Sequence, residues 1–196
     1  PVIVLTIAFN LVDRWSILLP IVTMVLFGAL GAADDYLSLE RSSKDQYGFT
    51  ERVKLSLQVV LALAISLFLY MPQPFGLANS GLVRIPFIGS YDIGIWFFPV
   101  AAFIIVATSN AVNLTDGLDG LASGCLIMVS LVLALVAFFS NNLELSKYLN
   151  ILYIEGSGEI AVYLFGMMGA CLGFLWYNGY PAQVFMGDTG SLALGG

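Results

Sequence analysis

Apolar runs close to the thickness of a lipid bilayer, joined by short polar connections, decide what this chain can become. Six are marked at Val2–Val12, Ile17–Ala33, Val53–Met71, Ile95–Val112, Leu121–Phe139 and Ile160–Tyr177, and a seventh begins after Asp188. A spanning helix needs about 20 predominantly apolar residues, with a range of about 17 to 25. The last five of the six fit that length, and the first is short, as a helix cut at its start would be. Hydrocarbon offers no partner for an open sheet edge, so these runs must be helices. The expected fold class is all-α, a polytopic integral membrane helical bundle.

Composition agrees. Hydrophobic residues make up 59% of the 196 positions and charged ones only 10%, against about a quarter charged in soluble domains. The lipid bilayer is thus the first expected partner. Thirteen acids against seven bases give a net charge of -6, and no basic stripe is present, so no nucleic-acid partner is expected. The stretch contains no histidine. A metal bound here would be held by oxygen, which points to magnesium or manganese rather than zinc. Cys125 and Cys171 fall inside apolar runs without C-x-x-C spacing and read as small packing residues.

Alternating spans sort the connections into two sets. Those at Tyr36–Arg52, Asn113–Asp119 and Asn178–Asp188 share one side; those at Asp13–Ser16, Pro72–Gly94 and Ser140–Glu159 share the other. Arg41, Lys44, Arg52 and Lys54, four of the seven bases, mark the first side as cytoplasmic by the positive-inside rule. Within Pro72–Gly94, the patch Val83-Arg84-Ile85 reads as a short hairpin outside the membrane.

That alternation, drawn from hydropathy alone, puts five carboxylates at one face. Asp34-Asp35 closes the second run, and Asp116 and Asp119 in Asn110-Ala-Val-Asn113-Leu-Thr-Asp116-Gly117-Leu118-Asp119-Gly-Leu-Ala open the fifth. Asp188 in Phe185-Met-Gly-Asp188-Thr-Gly-Ser191 opens the seventh. Ionisable groups at a bilayer are costly and usually functional. Each also has a plainer reading. Asp34-Asp35 suits a solvated helix end, Asp116 with Asp119 a capping box, and Asp188 an N-cap. Capping and function are compatible, since a helix N-terminus with nearby glycines (Gly117, Gly120, Gly187, Gly190) also receives phosphate. Carboxylates beside a phosphate need a divalent cation between them, which suits a metal-bound diphosphate. Lys54 serves equally as a phosphate contact or as a topology marker. Asn178, Tyr180 and Phe185 suit an interfacial aromatic belt, with a base stacked on Phe185 as the sharper alternative.

Ala33-Asp34-Asp35-Tyr36, Asn110–Ala122 and Asn178–Gly196 resemble, in order and spacing, the signature segments of the phospho-N-acetylmuramoyl-pentapeptide transferases of the polyprenyl-phosphate sugar-1-phosphate transferase superfamily. The resemblance implies a ten-helix membrane fold, of which residues 1–196 form a single transmembrane catalytic domain incomplete at both ends. It implies transfer of phospho-MurNAc-pentapeptide from UDP-MurNAc-pentapeptide to undecaprenyl phosphate, giving lipid I and UMP with Mg2+. The setting would be the bacterial inner membrane, with the site on the cytoplasmic face and a homodimer as a possible assembly. It further implies Asp34, Asp35 and Asp188 as catalytic, with Asp188 on the metal. Lys54, Asn113, Asp116, Gly117, Leu118, Asp119, Asn178 and Phe185 would line the substrate pocket, Phe185 stacking on uracil. The family usually carries a lysine three residues after the aspartate pair, where this chain has Ser38. The rival readings are an N-acetylglucosamine-1-phosphate transferase and an ion-coupled transporter. The second suits acids near the bilayer midplane, not at helix ends.

Overall fold

The structure is a computed structural model that describes residues 17–41, 49–71, 81–85 and 89–196. Its helices are α1 (Leu18–Arg41), α2 (Glu51–Tyr70), α3 (Phe97–Thr115), α4 (Leu121–Ser140), α5 (Leu143–Tyr148), α6 (Ser157–Asn178) and α7 (Gly187–Gly195). Five helical stretches are long and apolar enough to cross a membrane: Leu18–Leu39, Glu51–Tyr70, Gly94–Thr115, Leu121–Ser140 and Ser157–Asn178. They correspond to the five full-length runs of the sequence, and the fold is all-α and polytopic. The short first run, Val2–Val12, lies outside the described residues. Large apolar side chains face outward along the helices, among them Val60, Phe103, Met128 and Leu133. In water such a surface would aggregate; in a bilayer it is solvated.

The expected hairpin is present as β1 (Leu82–Ile85) paired antiparallel with β2 (Gly89–Asp92), Val83 opposite Tyr91. Two expectations need correction. The second run was expected to end at Ala33, but α1 continues two turns further to Arg41. Tyr36, Leu37 and Leu39 carry the helix on, so Asp34 and Asp35 sit within it rather than at its end. The connection after α4 holds an unanticipated helix, α5, capped by Asn142, whose side chain accepts from Glu144 N at 2.9 Å and Leu145 N at 3.1 Å.

The chain divides into two compact units. In the first, residues 19–117 with 186–196, the core is Phe27, Ala62, Ile65, Ala102 and Leu192, drawn from α1, α2, α3 and α7. Helix α7 lies unusually close to α1. A Cβ added at Gly31 would stand 2.7 Å from Thr189 N and closer still to the Asp188 carbonyl. Small residues permit such backbone approach in membrane helices, and here it fixes where Asp188 emerges.

The second unit, residues 118–185 with 17–18, rests on the packing of α4 against α6. Gly120 precedes α4 with φ of +75° and packs on Leu175 and Gly179 of the α6 end. A side chain there would be strained by the left-handed backbone and crowded as well.

Candidate active site

In the first unit the end of α3 and the starts of α2 and α7 meet the flank of α1 at a cluster of ionised groups. Lys54, in the first turn of α2, places its ammonium between two carboxylates. It lies 3.1 Å from Asp34 Oδ2 and also pairs with Asp188 Oδ2. Asn113, near the end of α3, donates to Asp188 Oδ1 at 2.7 Å and to Ser191 Oγ at 2.9 Å. Both Asp188 oxygens are therefore held, one by charge and one by an amide. The other Asp34 oxygen accepts Phe49 N at 2.6 Å, so Asp34 also anchors the segment entering α2.

Burial pushes the Asp188 carboxyl up. The hydrogen bonds from Lys54 and Asn113, with the Lys54 charge, outweigh it and hold the group below the ordinary carboxylate range. Asp116, directly after α3, behaves oppositely. Burial raises it, the Gly187 N–H it accepts offsets part of the rise, and the Asp188 charge adds to it. Two carboxylates, Asp34 and Asp188, share the one Lys54 ammonium, and Asp116 is near enough to feel the Asp188 charge. Such a site favours further cations. Among the described residues, no three His, Cys, Asp or Glu side chains converge as a protein-only metal cage would require.

Asp35 is differently employed. Its Oδ1 accepts Asp188 N at 3.3 Å, and its Oδ2 accepts Thr189 N at 2.9 Å and Thr189 Oγ1 at 2.6 Å. It caps the α7 N-terminus from another helix, satisfying backbone donors that the helix leaves free. The capping roles read from the sequence are not the ones found. Asp188 lies in the first turn of α7 but spends its carboxylate on Lys54 and Asn113. Asp116 follows the end of α3, and α4 starts five residues later behind Gly120, without a side-chain cap.

The second unit holds the remaining candidates except Gly117, which ends the 19–117 stretch of the first. Asn178, at the end of α6, is buried. Its Oδ1 accepts Gly120 N at 3.2 Å and Ser123 Oγ at 2.9 Å, and its Nδ2 donates to Val184 O at 2.9 Å. Asp119 Oδ2 accepts Ala182 N at 3.0 Å. Together they hold the loop that follows α6, and Phe185 closes that loop with 72% of its surface exposed. Gly117 and Leu118, in the connection between α3 and α4, are exposed as well.

Several participants escaped the sequence reading. Ser191 is one turn beyond Asp188 on α7, and Thr189 and Ser123 supply hydroxyls. Gln58 lies one turn beyond Lys54 and bonds Asn110, one turn before Asn113. For all but Thr189 the signal was helical spacing, since a polar residue three or four positions from a candidate shares its face; Thr189, next to Asp188, had no such signal.

A sequence model described as glycosyl transferase family 4 matches residues 17–196. The chain is 50% identical over 194 residues to a protein of Chloroflexus aurantiacus named phospho-N-acetylmuramoyl-pentapeptide-transferase, covering 99% of this chain and 49% of that protein. Proteins of the same name from Thermodesulfovibrio yellowstonii and Desulfotalea psychrophila are 48% identical over 180 residues and 45% identical over 198. Those matches cover 90% and 100% of this chain, and 48% and 53% of the relatives. The chain thus spans about half the length of the curated relatives it matches. With the family match running from the first described helix to the last residue, this chain belongs to glycosyl transferase family 4.

Proposed function

We propose that the full-length protein transfers phospho-MurNAc-pentapeptide from UDP-MurNAc-pentapeptide to undecaprenyl phosphate, releasing UMP and forming lipid I. The observation that carries this reading is the Lys54–Asp188–Asn113 arrangement, flanked by Asp34 and Asp116. The names of the relatives supply the substrate. Phosphoryl transfer asks mainly for positioning and charge neutralisation, and this cluster offers both.

The reaction makes one P–O bond and breaks another. A phosphate oxygen of undecaprenyl phosphate attacks the sugar-bearing phosphorus, and the bond to the UMP oxygen breaks, with the electron pair leaving on UMP. Lys54 would neutralise phosphate oxygens, while Asn113 holds the orientation of Asp188. The other Asp34 oxygen keeps the entry to α2 in place through Phe49 N. Phe185, exposed at the end of its loop, has a flat ring face of the kind on which a base stacks.

The donor set fits magnesium. Magnesium takes one or two protein carboxylates and completes its shell with water and phosphate oxygens, so a closed protein cage is not needed. The Lys54 ammonium between Asp34 and Asp188 marks a position where these two carboxylates already accept a cation. Asp188, with Asp34 beside it, would hold the metal, and a bound Mg2+ would supply charge neutralisation for the diphosphate and the departing UMP.

The site would face the cytoplasm, on the side marked by Arg52 and Lys54. A cysteine replacing Glu51 should then react with an impermeant maleimide from the cytoplasmic side, and one replacing Tyr91 from the opposite side. The decisive test of activity is the full-length protein assayed in parallel with UDP-MurNAc-pentapeptide and UDP-GlcNAc, each with undecaprenyl phosphate and Mg2+. Turnover of the first alone is expected. Turnover of UDP-GlcNAc alone would move the protein to the N-acetylglucosamine-1-phosphate transferases.

A further inference from the structure

Beneath the ionic cluster of the first unit lies a second polar rung, and it is buried in the apolar interior between α2 and α3. Asn110 Nδ2 donates to Gln58 Oε1 at 2.5 Å and to Val106 O of its own helix at 2.8 Å. Gln58 is wholly buried, and its Nε2 has no hydrogen-bond partner. An orphaned buried amide is costly, and a leucine would pack there without that cost. The chain nevertheless carries a glutamine inside an apolar run, near its start.

The geometry points to Gln58 as a positioning residue that sets the register of α2 against α3, and so delivers Lys54 and Asn113 to Asp188. Gln58 follows Lys54 by four residues and Asn110 precedes Asn113 by three, so each pair lies on one helix face. The two helices run antiparallel. Lys54 and Gln58 near the start of α2 meet Asn113 and Asn110 near the end of α3, whereas Tyr70 at the end of α2 meets Phe97 and Phe98 at the start of α3. Between those ends the contact is made by small and branched apolar groups such as Ala62, Ile65 and Ala102, which tolerate sliding. A slide of one residue would displace Lys54 by about 1.5 Å along its axis. The Gln58–Asn110 bond resists that slide about one turn below Lys54, where the low dielectric of the protein interior strengthens it. The same bond explains why the unused amide is tolerated: Oε1 is the atom that matters.

The test compares Gln58→Met, which keeps length and loses the acceptor, with Gln58→Glu, which keeps an acceptor oxygen toward Asn110. Both are made in the full-length protein. Two readouts are taken per folded molecule: the rate of Lys54 acylation by an amine-reactive ester, with Lys147 as internal reference, and kcat and KM for UDP-MurNAc-pentapeptide. The kinetic readout rests on the transferase reading above; the labelling readout does not. In Gln58→Met, Lys54 should acylate several-fold faster, and kcat should fall about 10- to 100-fold, as for a reacting group displaced by about 1 Å, with KM little changed. Gln58→Glu should stay near wild type in both. A merely structural glutamine would lower the folded fraction and leave labelling per folded molecule unchanged. That result in folded Gln58→Met overturns the inference. Should Gln58→Met fail to fold, the pair Gln58→Met/Asn110→Leu removes both polar partners and carries the same two outcomes. A wild-type protein inactive on the nucleotide, with the labelling difference intact, would sink the substrate and leave the register inference standing.

Discussion

Asp35 binds Thr189 twice through one oxygen, taking the backbone N–H at 2.9 Å and the hydroxyl at 2.6 Å on Oδ2. Its other oxygen receives Asp188 N at 3.3 Å. The two residues lie 154 positions apart, so this is a cap supplied in trans to the helix that carries Asp188. A carboxylate so engaged is poorly placed to act as a nucleophile.

If capping is its role, Asp35→Asn should keep much of the activity, because the amide oxygen can still accept Thr189 N. Asp35→Ala should lose about 1 kcal/mol of stability, within the roughly 0.5–2 range for a lost cap, and most of the turnover. Thermal unfolding and turnover of both variants decide the matter. An Asp35→Asn enzyme as inactive as Asp35→Ala, yet as stable as wild type, would return Asp35 to direct chemistry.

Asp188→Asn tests the metal reading. The amide keeps the size of the side chain and an oxygen for Asn113, but not the charge that holds a hard cation. Turnover in the folded full-length enzyme should vanish at all Mg2+ concentrations, while thermal stability changes little. Near-normal turnover would show that the metal is held elsewhere.

The cluster also sets a pH dependence. Asp188 titrates below the ordinary carboxylate range in the folded protein. Its contribution to stability is therefore complete above the unfolded value of about 3.9 and is lost as pH falls through the folded one. Lys54→Met removes both the hydrogen bond and the charge that depress this group, leaving burial less opposed. The melting temperatures of wild type and Lys54→Met should differ most at neutral pH and converge as pH drops through and below about 4. A gap that stays constant to pH 3 would mean that Lys54 stabilises the fold by packing alone.

The spans and the hairpin were legible because each follows from a local property: run length for the helices, and a β-branched patch between Pro and Gly for β1. The cluster was partly legible. Strict alternation of spans put Asp34, Lys54, Asn113 and Asp116 on one side, and the first unit brings them together with Asp188. What each acid does was not legible. Asp116 and Asp188 look like caps in sequence because Asp before Gly or Thr usually is one, yet the cap on α7 comes from Asp35 by a tertiary contact that no local pattern encodes. The end of α1 was misjudged for the opposite reason. Two acids interrupt an apolar run, but their charge is compensated across the fold, and the helix continues through them. Helix α5, by contrast, had a readable start in Asn142-Leu-Glu144.

Phe185 offers the clearest choice between two physical roles. The loop before it is fixed by Asn178, which donates to Val184 O at 2.9 Å, and by Asp119, which accepts Ala182 N at 3.0 Å. The ring at its end is 72% exposed. An anchor in a membrane belt can be exchanged for another apolar side chain, so Phe185→Leu would then alter stability slightly and leave nucleotide affinity alone. A ring that stacks on uracil cannot be exchanged in this way. Stacking of a base on an aromatic side chain is worth about 1–3 kcal/mol, so affinity should fall roughly 5- to 150-fold, at about 1.4 kcal/mol per decade. The loss should be equal for UDP-MurNAc-pentapeptide and UMP, which share the base, and absent for undecaprenyl phosphate, which has none. Titration of the three ligands against folded full-length Phe185→Leu measures this directly. Unchanged affinity for both uridine ligands would assign Phe185 to the membrane interface.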